Sequence, residues 1–95
     1  MNRQIIDLSQ NELLNYIVDN FKEDALLEIS YNRVFIPGKI LYIDKSSDVI
    51  ITLQLMGQLL HQRVDININE IIDEIVELRY TYHEMEVIIS YHKKV

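Results

Sequence analysis

The chain has 95 residues, room for one domain, and its 48% hydrophobic and 25% charged residues are the balance of an ordinary globular protein. It contains no cysteine, which removes disulfides, thiolate chemistry and cysteine-built zinc sites. Fifteen acids against nine bases give a net charge of -6, and the excess is local.

Between Asp65 and Glu86 seven acids face one base, Arg79, whereas the remaining residues balance at eight against eight. A surface of that sign repels phosphate, so direct binding to nucleic acid is disfavoured. The longest uninterrupted apolar run, Ile40 to Ile43, is far too short to cross a bilayer. The opening stretch, MNRQIIDLSQ, lacks the apolar core of a signal peptide. A cytoplasmic, non-membrane protein is therefore expected.

The first element that the pattern announces is a helix over 10–22. Ser9 and Glu12 have capping-box spacing, and Leu8 and Leu13 have that of a hydrophobic staple. Leu13, Leu14, Ile17, Val18 and Phe21 then recur on one helical face. From Ala25 the period becomes two, predicting strands at about 25–31 and 34–44 joined by a turn at Asn32-Arg33. Pro37-Gly38 interrupts the second of these and marks a bend, bulge or edge. Further strands are expected at about 49–56 and 59–66. Ile68, Ile71, Ile72, Ile75 and Val76 return to helical spacing, predicting a short helical turn near 68–76 that Asn67 or Asn69 caps. Two alternating sets, at about 77–82 and 85–92, close the chain as one strand or as a hairpin, with a change of phase near His83-Glu84. The whole is α+β and mainly β: a single domain over 1–95, with an N-terminal helix followed by a small, strongly bent antiparallel barrel of SH3-like or Sm-like build.

The segment from Glu28 to Ile75 carries a more particular likeness. It runs from an apolar strand and a turn to Gly38-Lys39-Ile40 and Ile43-Asp44, then through a polar loop and an apolar strand to a closing Ile-x-x-x-Glu-Ile-Ile. This stretch, about half of the chain, resembles the YolD-like proteins of low-GC bacteria and their prophages. Sixteen isoleucines, seven asparagines and six tyrosines, all with AT-rich codons, agree with such a source. The resemblance makes Gly38 the barrel-bend glycine and Asp44 the residue that opens the following loop. It departs from the family in having no tryptophan and in its extension beyond Ile75. It implies no catalytic residue, no cofactor, and an accessory role beside a Y-family DNA polymerase in DNA-damage tolerance, or a related role in a mobile element.

The chemistry-bearing residues converge poorly. His83, Glu84 and Glu86 are the one candidate metal set, yet alternation on a strand sets the histidine opposite both carboxylates. Ser46, Ser47, Asp48 and His61 spell a hydrolase-like triad only as any chain of this composition does. Two glycines cannot build a phosphate cradle. An enzyme is not expected. The first functional expectation is a protein-binding module acting on a polymerase, nuclease or other DNA-metabolism protein. The second is an inhibitor that mimics DNA, with Glu70, Asp73, Glu74 and Glu77 stacked along one exposed helical face. An Sm-like RNA binder is the third, with Tyr80, Tyr82 and Tyr91 beside Arg79, His92, Lys93 and Lys94. Finally, the closing segment is free of Pro and Gly, and it predicts a homodimer in which Tyr80, Tyr82, Val87, Ile89 and Tyr91 meet a second copy.

Overall fold

The computed structural model describes residues 2–57 and 62–91. Seven strands, β1 (Asn2–Leu8), β2 (Leu26–Tyr31), β3 (Val34–Asp44), β4 (Ile50–Leu55), β5 (Arg63–Asn67), β6 (Ile75–Tyr82) and β7 (Met85–Tyr91), form one sheet in the order β1-β7-β6-β2-β3-β4-β5. The helix α1 (Gln10–Asn20) and a short helix α2 (Ile68–Ile71), continued by a 3₁₀ turn (Ile72–Glu74), complete it. The fold is α+β and mainly β. Among the described residues no pairing joins β1 to β5, so the sheet is curved and open rather than a closed barrel.

The sequence pattern puts the helix first, and the structure corrects this: β1 precedes it. Ile5 and Ile6 are adjacent rather than alternating, so nothing local marks the segment as a strand. Its partner does so instead. β1 runs parallel to β7, with Asn2 opposite Met85 and Leu8 opposite Tyr91, and Arg3 Nε lies 2.7 Å from Glu86 Oε1.

The curvature originates in β3. Residues 34–39 pair with β2 and residues 38–44 with β4, with a register shift between Ile40 and Tyr42. Gly38 stands where the two ladders overlap, facing Leu27 on one side and Leu55 on the other. A Cβ there would lie 2.9 Å from the Gln54 carbonyl oxygen, closer than real side chains come, and 3.0 Å from Leu53 Cβ. Pro37 is tolerated because its carbonyl accepts from Met56 N–H at 3.3 Å, beyond the last residue of β4. Its nitrogen shares that direction, and no ladder needs a donor there.

The concave face is filled by α1. Leu13 and Ile17 are fully buried against Leu27, Ile29, Ile40, Leu53, Leu78 and Ile89, and Phe21 closes the lower end. The Ser9 N–H donates to Glu12 Oε1 at 3.0 Å at the helix start. At its end Phe21 stacks on Tyr80, ring centroids 4.4 Å apart and planes 9° from parallel. The Tyr80 hydroxyl accepts from Lys22 N–H at 3.0 Å and donates to the Asn20 carbonyl at 3.4 Å. Burial pushes the Tyr80 phenol up, the Lys22 bond opposing it in part.

The dimer surface expected of the closing segment is corrected here. β6 and β7 are interior strands of the sheet, flanked by β2 and β1. Tyr80, Val87 and Ile89 lie in the protomer's own core beneath α1, and Tyr82 and Tyr91 pack against that core partly buried. The apolar alternation that suggests a partner is satisfied by the helix. Between the two strands His83-Glu84 is a tight turn, with Tyr82 opposite Met85 and His83 at φ 54°, a conformation that His adopts more readily than most residues. The strand expected at 59–66 begins in residues outside those described, and β5 starts at Arg63. Asn67 caps α2 by accepting from Glu70 N–H at 3.2 Å, whereas Asn69 accepts from Val49 N–H at 2.8 Å and so ties α2 to the start of β4.

Two stability changes follow. Gly38→Ala forces the β3–β4 backbones apart and should cost about 1–3 kcal/mol in urea unfolding. Tyr80→Phe keeps the stacked ring but strands the Lys22 amide, and should cost about 1 kcal/mol. A Gly38→Ala variant as stable as the parent would refute the close approach.

Candidate protein-binding face

Alternate residues of a strand share a face, so the registers fix what lies on the convex side of the sheet, away from α1. Ile5, Ile88, Arg79, Glu28 and Pro37 are successive partners across β1, β7, β6, β2 and β3. One flanking row is Arg3, Glu86, Thr81, Leu26 and Lys39, and the other is Asp7, Ser90, Glu77, Ser30 and Phe35.

The two arginines on this face are paired in different ways. Glu86 is only 9% exposed, and its contact with Arg3 is short and charge-assisted. Arg79 is held loosely, with Nε 3.8 Å from Glu28 Oε1 and Nη2 3.9 Å from Glu77 Oε2, all three side chains half-exposed. Such pairs in water contribute little, so Arg79 can turn to an incoming carboxylate at small cost.

Three adjoining hollows lie along this part of the sheet, two of them lined in part by Arg79. The largest, about 270 Å³, is apolar and lined by Phe35, Ile36, Pro37, Leu55, Met56 and Val64. A second of about 250 Å³ lies among Glu28, Ser30, Phe35, Glu77 and Arg79. The third, about 230 Å³, runs from Leu26 and Met56 past Pro37 to Arg79 and Thr81. Phe35, 57% exposed, stands between the apolar and the charged hollow. Each taken singly is smaller than the roughly 300–1,000 Å³ of small-molecule sites.

The acidic segment does not form the expected row. Glu70 is on α2, Asp73 and Glu74 are on the 3₁₀ turn, and all three are exposed. The helical stripe then stops, because Ile75 begins β6. Glu77 is on that strand, beside Arg79, and not on a common helical face. The evenly spaced carboxylates that a DNA mimic needs are thus broken after Glu74.

Among the described residues no group of three His, Asp or Glu side chains is placed to hold a metal. His83 and Glu84 form the turn and Glu86 is engaged by Arg3. Of the triad-like set, Ser46 is bound to Asp44 and Asp48 accepts from Asn67 Nδ2 at 3.0 Å, while His61 lies outside the described residues. So do His92, Lys93 and Lys94, named above beside the tyrosines. Burial pushes the Tyr91 phenol up, and the Asp73 carboxylate adds to the shift.

Asp44 ends β3 as the anchor of a turn: Oδ1 accepts from Ser46 N–H at 2.9 Å and from Ser46 Oγ at 2.7 Å. These bonds, the backbone one foremost, hold its carboxyl below the usual range. Because the folded group is the stronger acid, its contribution to stability is present above the unfolded pKa of about 3.9 and is lost as pH falls through the folded value. Ser46→Ala should move the NMR titration midpoint of Asp44 upward while leaving it below the free value. An unmoved midpoint would remove the hydroxyl from the account.

No helix of the described residues is long and apolar enough to cross a membrane. No curated protein and no solved structure matches the chain. Residues 4–90 match the family DUF2097, described as an uncharacterized protein conserved in archaea. That match takes in almost the whole sequence, including most of β1 and of β6 and β7, which the YolD likeness leaves out. It overturns the bacterial and prophage assignment, since the Gly38 and Asp44 features are those any strongly bent small sheet requires. The chain belongs to the archaeal family DUF2097.

Proposed function

We propose that this chain is a non-enzymatic, cytoplasmic binding module that takes a protein partner on the convex face of its sheet. The observation that carries the reading is the apolar hollow at Phe35, Pro37 and Met56 continuing into the loosely paired Arg79. An apolar side chain seated beside Phe35 would be desolvated there, and an acidic group one or two residues on would displace Glu28 or Glu77 from Arg79. Specificity would come from the charged end and most of the affinity from the apolar end. The polymerase partner rested on the bacterial likeness and goes with it. A nuclease inhibited by a row of acids loses its geometric basis at Glu77.

Selection of peptides against the immobilised protein tests this directly. Apolar-acidic sequences should be enriched, and their binding should shift the NMR signals of Leu26, Phe35, Met56 and Arg79. Phe35→Asp, at an exposed position, should weaken binding about tenfold or more without changing the circular dichroism. Shifts confined to α1 or to the acidic turn would overturn the proposal.

A further inference from the structure

β1 is an edge strand that no described element covers; no bulge interrupts its register, and its two charged residues, Arg3 and Asp7, are of opposite sign. It has no Pro or Gly, runs for seven residues and exposes Ile5 at 69%, the highest value of any large hydrophobic side chain described. The direction of its backbone groups is fixed at one end: Asn2 N–H donates to the Glu84 carbonyl at 2.9 Å, toward β7. Groups alternate sides along a strand, so Asn2, Gln4, Ile6 and Leu8 serve β7, and Arg3, Ile5 and Asp7 present their N–H and C=O to the open edge.

The same three residues form a self-complementary code. In an antiparallel pairing with an identical strand about a two-fold axis at Ile5, Ile5 meets Ile5, and Arg3 meets Asp7 at both ends. Every pair then joins residues whose backbone groups are free, giving about six new hydrogen bonds. Moving the axis to Gln4 sets Ile5 opposite Arg3, and moving it to Ile6 sets Ile5 opposite Asp7, each leaving a charge against an apolar side chain. On the convex face the chosen register makes Ile88-Ile5 of one protomer continuous with Ile5-Ile88 of the other. It also places Arg3 between Glu86 of its own chain and Asp7 of the second.

We infer that the chain forms a two-fold homodimer through β1, joining two seven-stranded sheets edge to edge with Ile5 on the axis. This surface is separate from the Phe35–Arg79 face, which stays open in both copies. It also differs from the closing segment, whose apolar side chains are already buried.

Light scattering on the full chain at micromolar concentration should give twice the 11.3 kDa monomer mass. Ile5→Pro removes the N–H at the axis, which serves nothing within the protomer, and should return a monomer. Asp7→Arg sets like charges opposite Arg3 and should raise the dimer dissociation constant about tenfold or more, with unchanged melting of the monomer. The absence of native cysteine makes a register test simple: oxidised Ile5→Cys should run as a covalent dimer, whereas Val76→Cys, 61% exposed on β6, should not. A parent mass of 11.3 kDa throughout would overturn the inference, as would a dimer indifferent to both Ile5→Pro and Asp7→Arg.

Discussion

Eleven residues of β3 serve two neighbours in turn, and the architecture depends on that change of partner. A flat strand cannot leave one ladder and enter another without crowding, and at Gly38 the crowding is relieved by having no side chain. The register shift just beyond it turns the strand further. The sheet thereby becomes a trough, and a trough has a concave side that one amphipathic helix of three turns can fill. Leu13, Ile17 and Phe21 complete a core that strands from both halves of the chain could not close by themselves.

The helix has a second effect. By seating Phe21 against Tyr80, it covers the inner face of β6 and leaves the outer face uncovered by the helix. Polar and apolar residues are interleaved on the convex face of the sheet, where Phe35, Leu26 and Met56 are exposed. The convex face and the core are thus two sides of the same strands, and the alternation that fills one defines the other.

Much of this was legible in the sequence. The helix stood out because capping residues and a 3.6 period coincide at Ser9–Phe21, and β2 through β4 because alternation and turn residues coincide. The bend was visible as Pro37-Gly38. β1 was hidden, since its stability comes from a parallel partner more than eighty residues away and not from its own pattern. The fate of Tyr80, Val87 and Ile89 was hidden for a related reason: alternation marks one face of a strand as buried but does not say whether a helix or a second molecule buries it. The convex face could not be read at all, because Arg79, Glu28, Phe35 and Pro37 become neighbours only once the registers are known. The apparent acidic helix misled because isoleucines at helical spacing continue into a strand at Ile75.

The pairing of β1 with β7 also bears on how the molecule comes to be made. On a ribosome the first strand emerges long before the strand that will hold it, and Arg3 waits for Glu86. In the interval the sheet can grow outward from the β2–β3 hairpin with α1 laid upon it, while β1 remains an unclaimed, sticky ribbon. Contacts of such long sequence separation are slow to form. The β1–β7 pairing therefore has to wait for the last strand to be made, and once formed it leaves β1 and β5 as the two borders of the sheet.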